Sequence, residues 1–280
     1  MVTGAKGMLG TDATDLLRTQ GHQVAAVDLG DLELTDPTAV KAALSDVDVV
    51  LNCAAWTAVD DAEEREDAAL VANATIPAVL AGAAAATGTR LVHISTDYVF
   101  AGEADSPYAE DAPPSPRSAY GRTKAAGELA VREGLPHAHL IVRTAWLYGA
   151  HGGCFPKSIA RAAAERGAVS VVDDQVGQPT WTRDVADLVL RLVESDAPAG
   201  TYHATSSGET SWFGFAQRVV ASAGLDPSIV TPTDSTAFER PAPRPAYSVL
   251  GHDALGRLGI TPIGAWAHRW AQASAEVLAP

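Results

Sequence analysis

A doubly wound α/β fold, with a parallel sheet between two layers of helix, is what this sequence predicts. Three observations lead there. The chain opens Met1-Val2-Thr3 and runs at once into Gly4-Ala-Lys-Gly7-Met-Leu-Gly10, followed by a helical stretch over Thr11 to Thr19. That succession of strand, glycine turn and helix cradles a pyrophosphate against backbone amides and a helix N-terminus. Val47 to Cys53 and Arg90 to Ser95 read as buried strands, the pattern of sheets covered on both faces. Strand-like and helix-like stretches then alternate as far as Leu147, as parallel connections require.

The totals fit this class. A chain of 280 residues can bury one large or two small cores, and 47% apolar content is that of a globular protein. The net charge of −14 and pI near 4.9 oppose binding to phosphate backbones, so no nucleic-acid partner is expected. Cys53 and Cys154 form neither a disulfide framework nor a metal-binding pair, and Cys53, in an apolar run, reads as a buried thiol. No signal peptide and no apolar run of about 18 residues is read, so neither export nor a membrane span is expected, and the setting is taken as cytoplasmic.

The elements follow in order. The first strand has only two or three residues before Gly4, which is short for a central strand. His22 to Leu29 predicts the second strand, with Asp28 at its end placed to accept from an adenosine ribose diol; a loop carboxylate or helix N-cap is the plainer reading. Asp36 is an N-cap before Pro37. Ala54 and Ala55 follow the Val47–Cys53 strand, where a flat ligand can approach closely. The acidic segment from Asp60 to Asp67 opens one long helix to Ala86, with Asn73 inside it as a candidate buried polar group. Thr96 ends the Arg90–Ser95 strand, where ligand sites of open α/β sheets lie. Gly102 to Ser118 is proline-rich loop.

Tyr120-Gly-Arg-Thr-Lys124 lies on the next helix, which runs to about Arg132. A Tyr and a Lys four apart share a helical face, so the ammonium can stabilise the phenolate and lower the phenol's pKa. A surface Lys near a packed Tyr is the alternative. His139 to Thr144 is a strand, Pro156 to Arg166 a helix, Val169 to Val172 a strand, and Thr182 to Glu194 a helix. Gly200 to Ala204 predicts a strand and Trp212 to Gly224 a helix. The polar loop Asp173 to Trp181 reads as ligand-facing. Arg240-Pro-Ala-Pro-Arg244-Pro places two arginines on a stiff loop, which points either to a diphosphate site or to a solvated linker.

Collected together, these residues resemble the extended short-chain dehydrogenase/reductases, and within them the dTDP-4-dehydrorhamnose reductases. The matching stretches are Gly4-x-x-Gly7-x-x-Gly10, Asn52-Cys-Ala-Ala-Trp-Thr-Ala-Val-Asp60, Ser95-Thr-Asp-Tyr-Val-Phe100, Tyr120-Gly-Arg-Thr-Lys124, Arg143-Thr-Ala-Trp-Leu-Tyr-Gly149, Gln175-Val-Gly-Gln-Pro-Thr180 and Arg244-Pro. They run in family order over nearly the whole chain.

The resemblance implies that Thr96, Tyr120 and Lys124 are catalytic. It implies that Gly4, Gly7 and Gly10 form the pyrophosphate turn, with Lys6, Met8 and Leu9 between them also touching NADPH or NADH. Asp28, Ala54, Ala55, Thr57, Tyr120 and Lys124 complete the cofactor contacts. Thr57, Val59, Tyr98 and Trp146 match positions lining the sugar pocket, which Thr96 and Tyr120 share, and Gln175, Thr180 and Arg244 lie in segments facing the nucleotide of a dTDP-sugar.

Two positions depart from the family. Cys154 stands where relatives often have Asn. Some relatives place Glu two residues after the last glycine and use it in a magnesium-linked dimer, whereas here that position is Asp12. The metal and that dimer are therefore not carried over, and a monomer or a homodimer both stay open. The implied reaction is NAD(P)H-dependent reduction of a C4 ketone on a dTDP-4-keto-6-deoxy sugar. An epimerase or dehydratase on the same scaffold and a non-catalytic regulatory subunit remain alternatives, although Tyr98 stands after Asp97 where dehydratases carry Glu. The expected division is a Rossmann-like cofactor domain over residues 1–147, with segments near 182–204 returning to it, and a smaller, interleaved α/β substrate domain over 148–280.

Overall fold

The computed structural model describes residues 1–279. In the first half, β1 (Val2–Thr3), α1 (Met8–Thr19), β2 (Ala26–Val27), α2 (Pro37–Ala43) and β3 (Val49–Asn52) are followed by α3 (Val59–Glu64), α4 (Glu66–Leu70), a π-helical turn (Val71–Thr75) and α5 (Ile76–Thr87). Then come β4 (Arg90–Thr96), α6 (Ala119–Gly134) and β5 (His139–Thr144). The remainder holds β6 (Leu147–Tyr148), α7 (Phe155–Arg166), β7 (Val169–Val172), β8 (Val176–Gly177), β9 (Thr180–Trp181), α8 (Thr182–Glu194), β10 (Gly200–His203) and α9 (Trp212–Ser222). Short strands and two further helices, Asp253–Arg257 and Trp266–Val277, close the chain.

Six strands form one parallel sheet in the order β10-β5-β4-β3-β1-β2, the doubly wound architecture expected. Its register alternates neighbouring side chains between two covered faces. Leu51, Val92, Leu140 and Val142 meet α1 and α8, through Ala13, Val185, Leu188 and Leu192. Val50, Leu91 and Ile141 meet α2, α5 and α6, through Val40, Leu80, Ala84 and Val131. Each Val, Leu or Ile among these contributes about 1.5–3 kcal/mol by leaving water. Beyond the sheet, α7, α9 and the last helix enclose an aromatic core of Tyr148, Phe215 and Trp270, with ring centroids 5.3–5.6 Å apart. The return of α8 onto α1 and of β10 onto β5 ties the later segments to the sheet.

Three expectations change. The second strand is only Ala26–Val27, not His22 to Leu29, because its single ladder partner, β1, is two residues long. The helix expected from Asp60 to Ala86 is interrupted at Arg65, whose backbone leaves the helical region (φ −128°, ψ 41°), and again by the π turn. That turn aims Asn73 inward, where it is fully buried. The stretch Glu66–Thr87 is also long and apolar enough to cross a membrane by length and composition, contrary to the sequence reading. Here it packs on α2, α6 and β4 as a core element of the fold.

Candidate active site

The carboxyl ends of the parallel strands gather most of the residues singled out by sequence. At the end of β1, Gly4 has φ +64°, and a Cβ there would lie 2.7 Å from the Ala54 nitrogen. A Cβ on Gly10 would come within 2.1 Å of the Gly4 carbonyl oxygen. Only glycine lets the turn fold this tightly over the end of β3, which leaves a backbone-lined cradle suited to a pyrophosphate. Beneath it, the Thr3 hydroxyl and the Ala54 amide donate to Asn52 Oδ1 (2.6 and 3.2 Å), and Asn52 Nδ2 lies 3.0 Å from His93 Nδ1.

Asp28 braces this turn. Its carboxylate accepts from the Lys6 amide (2.7 Å) and the Leu29 amide (2.8 Å). The Lys6 amide, chiefly, holds Asp28 below the usual carboxylate range. The Lys6 side chain is exposed, with its ammonium 3.9 Å from Asp31. Leu9 departs from its expected role as a cofactor contact: its side chain is 6% exposed and sits in the sheet core, so only its backbone faces the turn. Met8 likewise turns its side chain against the aromatic core.

Thr96 ends β4, while Ser118 caps α6 by accepting from the Gly121 amide (3.1 Å), which sets Tyr120 and Lys124 on the first turns facing β4. Tyr98 and Tyr120 meet edge to face at 5.5 Å. The expected lowering of the Tyr120 pKa by Lys124 is not what the structure has. Lys124 Nζ donates to the Ile94 carbonyl at 2.6 Å. The phenol is pushed up to about 12 by burial, with the Thr96 hydroxyl pulling down and the Asp97 charge pushing up. Lys124 is itself lowered to about 8 by burial, against the charge of Glu128 and the Cys53 thiol. Tyr120 is thus a protonated donor at neutral pH.

The other side of the cleft is closed by an ion pair. Arg244 Nη2 lies 2.8 Å from Asp60 Oδ2, Arg240 Nη1 lies 3.5 Å from the same oxygen, and the Ala242 amide donates to Asp60 Oδ1 at 3.3 Å. Burial alone would raise Asp60, but Arg244 and its neighbours hold it below the usual range. A cavity of about 160 Å³ beside this pair is lined by Tyr98, Arg117, Ser118 and Arg244 among others. A larger cavity of about 480 Å³, between β10 and residues 110–114, holds none of the catalytic, cofactor or substrate residues expected from sequence. Chemistry rather than size therefore selects the smaller one.

Val59 starts α3 beside Asp60, and Thr57 is exposed in the preceding loop, which Asn73 fixes by accepting from the Trp56 amide (2.8 Å) and donating to its carbonyl (3.2 Å) and to the Thr123 hydroxyl (3.0 Å). Trp146 has a left-handed backbone (φ +46°) and stacks on Trp212 at 3.5 Å. Gln175 donates to the Ser235 hydroxyl at 2.8 Å. Thr180 does not face a ligand: it is fully buried, and its hydroxyl donates to the Gln178 carbonyl (2.9 Å) and accepts from the Ser206 amide (3.2 Å).

At the position where some relatives carry the magnesium-linked Glu, the Asp12 side chain is 2% exposed. It accepts from the Thr182 hydroxyl and lies 3.6 Å from His151 Nε2 and 3.7 Å from Arg183 Nε. A carboxylate already facing a guanidinium inside the chain does not fit a magnesium ligand, and among the described residues no three His, Cys, Asp or Glu side chains cluster as a metal site.

Sequence reasoning passed over Asp60 as the partner of Arg244 and Asp97 as the neighbour of Thr96. Both stand inside quoted motifs, but only a contact between distant segments gives either its meaning.

Known proteins resemble this chain over nearly its whole length. A family model described as "RmlD substrate binding domain" matches residues 1–279. A probable dTDP-4,6-dihydroxy-2-methyloxan-3-one 4-ketoreductase of Streptomyces antibioticus is 48% identical over 100% of this chain and 95% of its own length. A dTDP-4-dehydrorhamnose reductase of Streptomyces griseus is 48% identical over 95% of this chain and 90% of its own. The crystal structure of dTDP-4-dehydrorhamnose reductase from Bacillus anthracis in complex with NADP superposes with a TM-score of 0.94, at 35% identity over 98% of each chain.

Proposed function

The chain belongs to the dTDP-4-dehydrorhamnose reductase family, and from that premise we propose that it reduces the C4 ketone of a dTDP-4-keto-6-deoxy sugar with NADPH or NADH. It is an NAD(P)H-dependent oxidoreductase of the extended short-chain class. The observation that supports the reaction best is the meeting of Thr96, Tyr120 and Lys124 at the strand ends beside the glycine cradle.

The glycine turn with Gly4, Gly7 and Gly10 holds the pyrophosphate, Asp28 takes the ribose end, and Ala54 and Ala55 leave room for the flat groups. The bound cofactor supplies the hydride. Tyr120 gives its proton to the oxygen that becomes the C4 hydroxyl. Thr96 donates to the same oxygen and orients it. Lys124 stands ready to leave the Ile94 carbonyl for the nicotinamide ribose. Val59, Tyr98 and Trp146 line the sugar, while Gln175 and Arg244 serve the nucleotide end. In this division, residues 1–147 with 182–204 carry the cofactor and the rest of 148–280 the substrate. The protein acts in the cytoplasm as a monomer or homodimer, with no nucleic-acid or membrane partner.

The test is NADPH oxidation with dTDP-4-keto-6-deoxy sugar, with and without a preceding 3,5-epimerase. Consumption that requires the epimerase identifies the dehydrorhamnose substrate. Consumption without it identifies the unepimerised ketone. No sugar-dependent consumption in either arm sinks the enzymatic reading and leaves a binding module.

A further inference from the structure

Thr96 has one proton to give; it lies close enough to Tyr120 to lower that phenol, but the hydrogen bond of good geometry runs away from the cleft. Its hydroxyl donates to Asp97 Oδ1 at 2.9 Å, and its oxygen accepts from the Tyr98 amide at 3.2 Å. Asp97 is 2% exposed, and its second oxygen, Oδ2, makes no hydrogen bond of ordinary geometry. A carboxylate buried this far normally has a cation against it. Among the described residues none forms an ion pair with Asp97. The ionisable groups that feel its charge are the phenols of Tyr98, on its own turn, and Tyr120, on α6. Tyr98 in turn faces Arg244 and Asp60, and the Ser248 hydroxyl, from the C-terminal loop, favours the charged form of Asp97. Burial outweighs these donors and raises Asp97 to about 6.

We propose that Asp97 is a positioning residue for the reduction, governing whether the Thr96 hydroxyl points at the substrate carbonyl or is held beneath it. While Asp97 is ionised, it accepts the Thr96 proton and leaves the carbonyl without that donor. Once Asp97 has taken a proton from solvent, its own O–H donates to Thr96 Oγ1, and the Thr96 O–H turns toward the C4 oxygen. Losing the Asp97 charge also removes the lesser of the two influences that raise Tyr120, burial being the greater, so the same event makes the phenol a somewhat readier acid. This rests on the reduction proposed above, with Thr96 as a donor to the C4 oxygen.

Two measurements test it. In the first, kcat at saturating NADPH and keto sugar is followed from pH 5 to pH 7, below the range where Lys124 titrates. Wild-type kcat should fall as pH rises through about 6, by no more than the roughly 10²–10³-fold worth of one oxyanion donor. KM should stay level. Asp97→Asn, whose amide can donate to Thr96 at every pH, should flatten the curve. An unchanged curve in this variant overturns the proposal.

The second needs neither turnover nor the variant at Asp97. Infrared titration of the protonated-carboxyl band in the substrate-free protein should show one buried acid with a midpoint near 6. Thr96→Ala removes a donor to the carboxylate and should move that midpoint upward. A midpoint that Thr96→Ala leaves in place means that the two side chains are not coupled, and the proposal fails even if the sugar is reduced. A coupled pair in a protein that reduces no keto sugar instead refutes the function and, with it, any role of Asp97 in reduction.

Discussion

Two carboxylates lie buried at this end of the sheet, Asp97 next to Thr96 and Glu128 one helical turn beyond Lys124, and they are treated in opposite ways. Glu128, one helical turn beyond Lys124, is fully buried, and burial alone would raise it. Arg143 grips it with two bonds of 2.7 and 2.8 Å, joined by Ser95 at 2.7 Å and Arg132 at 2.8 Å, and it is held below the usual range. Asp97, also buried, has hydroxyls but no cation, and its carboxyl is raised to about 6. The Glu128 group stays charged across the physiological range and stiffens the junction of β4, β5 and α6. The Asp97 group can change charge within that range, beside the hydroxyl that orients the substrate. The chain compensates charge where it needs a frame and withholds compensation where it needs a proton to move.

The largest effect should come from the reacting end of this pair. Tyr120→Phe removes a hydroxyl and keeps the ring against Tyr98. Turnover should drop by about 10²–10⁴-fold, while cofactor binding and melting temperature hardly change. A fully active variant would take the proton donor away from Tyr120. On the framed side, Arg143→Ala leaves Glu128 buried with only Arg132 and Ser95. Denaturant unfolding should show a loss of about 3–5 kcal/mol, and Arg143→Ala combined with Glu128→Gln should recover part of it. Equal losses in the single and double variants would mean that Arg143 acts by packing.

Asp97 should behave in the reverse sense. Its carboxyl is raised from 3.8 to about 6 in the folded chain, so the folded state holds this proton more tightly than the unfolded state. The stability this confers is full below about pH 4 and is lost as pH rises through 6, amounting to roughly 3 kcal/mol at most. Asp97→Asn should therefore gain stability over wild type at pH 8 and lose that advantage at pH 4. A pH-independent difference would place the Asp97 titration elsewhere.

Asp60 is the intermediate case, paired with Arg244 yet 31% exposed. Arg244→Ala should weaken sugar-nucleotide binding by about 2–3 kcal/mol and leave cofactor binding nearly as it was, read by calorimetry for each ligand. Equal damage to both would make the arginine loop structural. The smallest effect is expected at Asp28, held by backbone amides alone. Asp28→Ala should shift the NADPH to NADH ratio of kcat/KM toward NADPH by about tenfold, with some loss for both because the Lys6 amide loses its partner. An unchanged ratio would remove Asp28 from the ribose.

Much of the fold was legible because its strands are buried on both faces. His139–Thr144, Val169–Val172 and the Thr182–Glu194 helix fall where the apolar pattern set them. β2 was not legible, since its length is limited by a partner strand 24 positions earlier rather than by its own residues. The break at Arg65 and the π turn escaped for a similar reason, since the alanine-rich segment keeps one helical pattern through both and only its packing on α6 interrupts it. Motif spacing brought Thr96 and Tyr120 to one place. It did not give their hydrogen bonds, because the Lys124 contact to Ile94, the Asp60 contact to Arg244 and the isolation of Asp97 depend on segments far apart in sequence.

The π turn at Val71–Thr75 also bears on how this enzyme could change over generations. A π turn holds one residue more than the α turn it replaces. Deleting one residue there would restore a continuous α-helix and rotate everything on one side of it by about 100°. Asn73 would swing off Trp56 and Thr123, and the loop from Ala54 to Ala58 would lose its anchor on α6. Single substitutions along α5 can thus accumulate with local effects, whereas a one-codon deletion in this turn alters the mouth of the cleft from a distance. The length of the segment from Val71 to Thr75 is constrained more tightly than its composition.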